Sequence, residues 1–369
     1  MQINALYKKN AYLCAMISEK MSFDPLPGAS GRRLFIAGPC SAESPAQVMA
    51  SAAGVAAAGI GVLRAGVWKP RTMPGSFEGA GEPALEWLVA AGRAFGLLTA
   101  TEVATAAHVR AAVSAGVDIL WVGARTVSNP FAVQDVADAV AASGEDVAVL
   151  VKNPLSPDID LWIGAVSRFC KAGVRRLGAV HRGFSCYGPS LYRNEPLWSI
   201  PFELRRRVPG LPLLCDPSHI AGRRGLVEEV AAHAMTMGFD GLIIESHCDP
   251  SHALSDAAQQ LAPDALKSLM ASLPRPDASA VAAGGVLDAL RHRLNVIDGE
   301  LLQLLAARME VSDEIGRYKR ACGMTVVQPE RYKQMIDDRT ARGARSGLSE
   351  RMLRQIWAAI HAESVARQL

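Results

Sequence analysis

Cys40, His219, Glu245 and Asp256 supply a thiol, an imidazole and two carboxylates, a donor set that suits Mn, Fe, Co or Zn better than Mg. The first three stand where short apolar runs give way to polar residues, and Asp256 follows shortly after the last such run. Singly, a cysteine is more often a small buried hydrophobe and a histidine a capped core residue. Arriving together at run ends, they read as one divalent-metal site whose ion would act as a Lewis acid on a carbonyl. His247 and His252 are alternative ligands near Glu245 and rank below these four. Arg64, Lys69, Arg71, Arg125, Lys152 and Arg182 stand at or just beyond the same run ends, beside Glu102. So many cations exceed what the carboxylates present can neutralise, and the expected ligand carries more than one phosphate or carboxylate.

Eight elements must position these residues. They are LFIAGPCS from Leu34, GVLRAGVWKP from Gly61, GLLTATEV from Gly96, ILWVGAR from Ile119, VAVLVKNP from Val147, RRLGAVHRG from Arg175, PLLCDPSH from Pro212 and GLIIESH from Gly241. Ala-rich amphipathic stretches separate them up to Leu273, which predicts repeated βα units. Eight such units match the ~250 residues of a (β/α)8 TIM barrel, whose active site lies at the C-terminal ends of its strands. The expected division is an N-terminal extension over 1–30, a barrel over 31–273, a linker over 274–285 (PRPDASAVAAGG) and an all-helical domain over 286–369.

Composition narrows the partners. Half of the 369 residues are hydrophobic and 20% are charged, which excludes intrinsic disorder. Seven cysteines without C-x-x-C spacing argue against a disulfide framework or zinc fingers and make a reducing cytoplasm the expected compartment. No apolar block among Lys8, Lys9 and Lys20 is long enough for a signal sequence, and Met49 to Leu63 is too short and weakly hydrophobic to span ~30 Å of lipid. Neither secretion nor a membrane partner is expected. Arg205, Arg206 and Arg207 lack aromatic interleaving, so they read as a solvated helix end and nucleic acid is not an expected partner. The net charge of +3 arises wholly in residues 281–369, which hold 14 Lys/Arg against 11 Asp/Glu.

Within that tail, Leu287, Leu290, Leu294, Ile297, Leu301, Leu305 and Met309 recur at three- and four-residue steps and predict a helix of ~50 Å from Val286 to Arg320, too long to bury its stripe alone. Two shorter helices follow, from about Glu330 and from Ser349, in a unit expected to pair with a second copy. Arg308 and Lys319 lie about 20° apart around the long helix and can grip one anion from two ends. Arg291 lies ~25 Å before Arg308 and about 100° around, so a partner chain would have to bring it to that pocket. Ser364 and Gln368 share a face four residues apart.

GPCSAES at Gly38, LRAGVWKPRT at Leu63, VGAR at Val122, LVKN at Leu150, HRGF at His181, DPSH at Asp216, IIESH at Ile243 and ALSDAAQQL at Ala253 together resemble the type I 3-deoxy-D-arabino-heptulosonate 7-phosphate (DAHP) synthases, in order along the whole barrel. They resemble most the subgroup shared with 3-deoxy-octulosonate 8-phosphate synthases, the alternative reading. KPRT at Lys69 is the heptulosonate signature, where octulosonate enzymes usually carry an Asn-containing motif. The resemblance implies condensation of phosphoenolpyruvate with erythrose 4-phosphate, the opening step of the shikimate pathway. It implies Cys40, His219, Glu245 and Asp256 as metal ligands and Arg64, Lys69, Arg125, Lys152 and Arg182 around phosphoenolpyruvate. Lys69, Arg71 and Thr72 would position erythrose 4-phosphate, Glu102 would orient the attacking water, and Lys69 would pass a proton to the developing alkoxide.

ALRHRLNVIDGELLQLLAARMEVSDEIGRYK from Ala289, with ESVARQ near the end, resembles the all-helical chorismate mutases, which rearrange chorismate to prephenate without metal or nucleophile. The resemblance implies a homodimer through the helical domain, with Arg291 of one protomer completing the other's pocket. Arg308, Lys319 and Arg331 match the remaining cations, and Ser364 and Gln368 the polar contacts. Where the family usually has a Glu after the arginine matched by Arg331, this chain has Tyr332, and Gln328 replaces an acidic residue upstream. That departure concerns the contact to chorismate's hydroxyl, which Gln328 would take over. The competing reading makes the tail a regulatory and dimerisation module that senses prephenate or chorismate without turnover. On either reading prephenate is expected to lower synthase activity.

Overall fold

The computed structural model describes residues 23–29, 33–70, 75–186, 190–273 and 284–368. They form two compact units that part between Arg275 and Pro276. In the first, β1 (Leu34–Gly38), β2 (Val62–Arg64), β3 (Leu98–Val103), β4 (Ile119–Val122), β5 (Ala148–Lys152), β6 (Leu177–His181), β7 (Leu213–Cys215) and β8 (Gly241–Glu245) form a closed barrel in chain order. Every pairing is parallel, and the seam between β8 and β1 runs from Leu34 opposite Gly241 to Gly38 opposite Glu245. The eight strands coincide with the eight apolar runs.

Side chains alternate across a strand with period two, and that period decides what reaches the mouth. Ile36, Val62, Ala100, Ile119, Trp121, Leu150, Val180, Leu214 and Ile243 pack together inside the barrel, with Leu26 against them. Their strand neighbours Ala37, Leu63, Leu120, Val149, Val151, Ala179, Leu213, Leu242 and Ile244 face outward into the helical layer. Two residues beyond the inward set come Arg64, Glu102, Lys152, Arg182, Asp216 and Glu245. The strand parity that buries the core therefore turns these six inward at the C-terminal rim. Close strand approach at the seam requires glycine: a Cβ on Gly241, at φ +154°, would stand 1.8 Å from the carbonyl oxygen of Leu34.

Ser44, Thr105, Asn129 and Asp158 cap barrel helices with their side-chain oxygens. The short helix Pro217–Ala221 after β7 is capped by Asp216, which accepts the His219 amide at 3.0 Å.

The second unit has three helices, Gly284–Ala321, Pro329–Arg345 and Glu350–Gln368. The expected linker lies outside the described residues except for Gly284 and Gly285, which already belong to the long helix. Met309, Ile336 and Leu353 are buried with Ser312, Thr340, Ser364 and Gln368, while Leu294, Ile297, Leu301, Leu302 and Leu304 are half or more exposed. Gly316 allows the last helix to approach closely, since a Cβ there would lie 3.0 Å from the Cα of Gln368. No described helix is long and apolar enough to cross a membrane.

Candidate active sites

At the barrel rim, ligand atoms of Cys40, Glu245 and Asp256 all lie within 4.8 Å of one another. A thiol and two carboxylates converging so closely fit a borderline divalent cation. Asp256 is held at φ +47°, a left-handed conformation that non-glycine residues adopt rarely. Cys40 Sγ is 3.3 Å from its Oδ2. His219, expected as a fourth ligand, stands outside that group, with Nε2 3.8 Å from Glu245 Oε1 and Nδ1 2.8 Å from Asp216 Oδ2. The latter contact ties the imidazole to the residue that caps its own helix.

Five of the six expected cations, all but Arg71, lie among the described residues. Arg64, 1% exposed, donates to Glu245 at 3.1 Å and lies 4.8 Å over the Trp121 ring. Its Nε and Nη1 are buried without hydrogen-bond partners. Lys152 pairs with buried Asp216 at 2.8 Å, and Lys69 Nζ donates to both the sulfur and the carbonyl oxygen of Cys40 at 2.9 Å. Arg182 donates to Asn194 at 2.6 Å, and Asn153 receives the Arg182 amide at 2.7 Å. Lys69, Arg125, Lys152 and Arg182 line one cavity with Glu102, His219 and Asp256. Arg71 and Thr72 lie outside the described residues.

Burial and charge act against each other here. Burial, with Glu245 and Asp256 nearby, pushes the Cys40 thiol up to about 12 despite Lys69. A cation at this position would reverse that, because a coordinated thiol gives up its proton. Burial disfavours charged Lys69, yet Cys40, Glu102 and Glu245 outweigh it and raise its pKa. Burial likewise opposes charge on Asp216, but His219 and Lys152 hold its carboxyl well below the usual range.

Several participants escaped sequence reasoning. Trp121 donates to Glu102 at 3.1 Å, and Gln259 donates to Glu245 at 2.7 Å. Arg193 adds a cation to the cavity, reaching Asp256 at 3.2 Å and Gln259 at 2.7 Å. Gln260 accepts the Cys40 amide, and the Ser41 and Ser255 hydroxyls, each next in sequence to Cys40 or Asp256, meet at 2.5 Å. His247 accepts the Asp249 amide and lies 3.5 Å from Glu43, so it ties loops rather than joining the ligand group.

In the helical unit Arg308 donates to the Ser364 hydroxyl, which also receives Ser312 at 3.2 Å. Lys319 donates to Gln368 Oε1 at 3.1 Å and to the Val326 carbonyl at 2.6 Å. The two cations thus meet the two polar residues of the last helix in pairs. Gln328, Arg331 and Arg291 are exposed. Arg339, which sequence reasoning passed over, lies 4.3 Å over Trp357, with one guanidinium nitrogen buried and unbonded.

The first unit is thus a (β/α)8 barrel with a metal-competent rim beneath clustered cations, and the second a helical unit with paired cations of its own. The chain belongs to the DAHP synthetase I family, whose model matches residues 16–275, and residues 290–369 match the chorismate mutase type II family. A phospho-2-dehydro-3-deoxyheptonate aldolase of Thermotoga maritima is 32% identical over 246 residues, 67% of this chain and 70% of that protein. The crystal structure of a Thermotoga maritima DAHP synthase matches with a TM-score of 0.59 at 30% identity, covering 65% of this chain and 68% of that one. A 2-dehydro-3-deoxyphosphooctonate aldolase of Rhodopseudomonas palustris is 29% identical over 270 residues, 68% of this chain and 90% of that protein.

Proposed function

We propose that the barrel condenses phosphoenolpyruvate with erythrose 4-phosphate at its rim and that the helical unit rearranges chorismate to prephenate. The chain is a bifunctional enzyme of aromatic biosynthesis, a DAHP synthase followed by a chorismate mutase. The observation that carries the barrel assignment is the placement of three metal-competent donors within 4.8 Å of one another beside a cavity lined by cations.

Cys40, Glu245 and Asp256 would hold the divalent ion (Mn, Fe, Co or Zn), with His219, 3.8 Å from Glu245, as the fourth candidate ligand. When bound, the ion supplies Lewis-acid polarisation of the aldehyde. The unbonded Arg64 nitrogens with Lys152, Arg125 and Arg182 would take the phosphate and carboxylate of phosphoenolpyruvate, and Arg193 extends that set. Lys69, raised in pKa and therefore charged, is placed to give a proton to the developing alkoxide. Glu102, fixed by the Trp121 indole, would orient the water that adds to the central carbon of phosphoenolpyruvate. In the helical unit Arg308 and Lys319 would hold the carboxylate and ether oxygen of chorismate in its compact conformer, stabilising charge separation in the transition state.

The exposed leucines of the long helix support a homodimer formed through it, the partner copy supplying Arg291. We further assign cytoplasmic residence and feedback by prephenate on the synthase. Assay of the purified, metal-defined chain with erythrose 4-phosphate against arabinose 5-phosphate tests the barrel; preference for the pentose would move it to octulosonate synthesis. Prephenate formation by the same preparation tests the tail, and a rate at background would leave it a binding module.

A further inference from the structure

His361, Ser364 and Gln368 are spaced three and seven residues apart on the last helix, so all three share one face. That face meets the two cations of the long helix, Arg308 at Ser364 and Lys319 at Gln368. The Tyr332 ring, from the middle helix, packs on the His361 imidazole with centroids 4.2 Å apart and planes tilted by 33°. Tyr332 stands where an acidic side chain was expected, so the middle helix offers the pocket no carboxylate there.

A hydroxylated dicarboxylate such as chorismate needs more than cations. Arg and Lys only donate hydrogen bonds, whereas a hydroxyl proton needs an acceptor. On the shared face, Ser364 Oγ already accepts from Arg308 and Gln368 Oε1 from Lys319. A neutral imidazole keeps one nitrogen lone pair. Partial burial first, then the charges of Arg308 and Lys319, lower the pKa of His361, which favours its neutral form.

We propose that His361, backed by the Tyr332 ring, contacts substrate in the helical unit and takes the role first expected of the exposed Gln328, one ring nitrogen accepting the hydroxyl proton of the dicarboxylate held by Arg308 and Lys319. The proposal rests on the chorismate mutase reading of this unit. His361 is then a specificity residue: it accepts the hydroxyl proton, which Arg308 and Lys319 cannot do, and the Tyr332 ring packs against it.

The test uses the full chain, with chorismate and with an analogue in which the ring hydroxyl is replaced by hydrogen. His361→Phe keeps the ring contact with Tyr332 and removes the acceptor. It is expected to raise KM for chorismate about tenfold, the scale of one lost hydrogen bond, with kcat little changed. Wild type and His361→Phe should handle the deoxy analogue alike, and His361→Gln should recover much of the chorismate affinity. Unchanged synthase activity in each preparation certifies folding of the chain, and a cooperative thermal transition certifies the helical unit. An unaltered KM in His361→Phe, or an equal penalty on both ligands, overturns the proposal. Absence of chorismate turnover by wild type would overturn the mutase reading itself, a separate outcome.

Discussion

In the barrel, Arg64 and Lys152 are almost fully occluded and each meets a buried carboxylate, Glu245 or Asp216. In the helical unit Arg308 and Lys319 meet neutral oxygens, those of Ser364, Gln368 and Val326. Arg64 and Lys152 are thus each held by a buried carboxylate before any ligand arrives, while two Arg64 nitrogens stay unbonded and Arg182 meets only the neutral Asn194. Burial disfavours the charge on Arg308, nearby Arg339 disfavours it further, and its hydroxyl partner brings no countercharge. A dianion would relieve that repulsion on binding. Arg64 and Lys152 are fixed by buried countercharge, whereas Arg308 and Lys319 are fixed by neutral oxygens.

The contrast can be broken most decisively by metal removal. Chelation, or Cys40→Ala, is expected to take synthase activity to background and leave prephenate formation untouched, and paired assays on one preparation check this. Next in size is Arg64→Met, which in the metal-free chain leaves buried Glu245 without its arginine partner. Barrel stability should fall by about 3–5 kcal/mol in denaturant titration. Arg308→Met, whose partner is a neutral hydroxyl, should cost about 1 kcal/mol of stability or less while lowering mutase kcat/KM by about 10²–10³-fold. Equal stability losses in the two variants would refute the distinction.

A smaller signature comes from His181, wholly buried among Trp162, Phe184, Trp198 and Phe239 with neither ring nitrogen hydrogen-bonded. Burial pushes its pKa down from 6.5 to about 3. Between those values the unfolded chain binds a proton that the native state refuses, so this residue erodes stability as pH falls below 6.5. It has no such effect above that pH. The loss reaches about 2 kcal/mol by pH 5. His181→Phe should remove that part of the acid slope, as unfolding at pH 7 and pH 5 would reveal. Smallest is Gln259→Leu, which frees one Glu245 oxygen from its donor. Metal affinity read by direct Mn titration should weaken about tenfold.

The barrel was legible because its strands are short apolar runs with polar ends, and the alternation that buries Ile36, Val62 and Leu150 also fixes which terminal residues face the ligand. Arg193, Gln259 and Gln260 lie in irregular segments after β6 and β8, where no period links a residue to a direction. His219 was recognised by type, but its exact reach depends on the cap that Asp216 places on a five-residue helix. In the tail, helical spacing paired Arg308 with Lys319 and Ser364 with Gln368. The contact of Tyr332 with His361 joins two helices through a loop and left no trace in either period.

Trp121 lies wholly inside the barrel, with Arg64 at 4.8 Å and Lys152 at 5.8 Å over its ring and its N–H bound to Glu102 at 3.1 Å. An indole's emission energy follows the electric field along its ring, and here the sources of that field are the side chains assigned to catalysis. The residue is therefore an optical gauge built into the synthase site: its fluorescence maximum should move when an anion settles over the cations, before any bond is made.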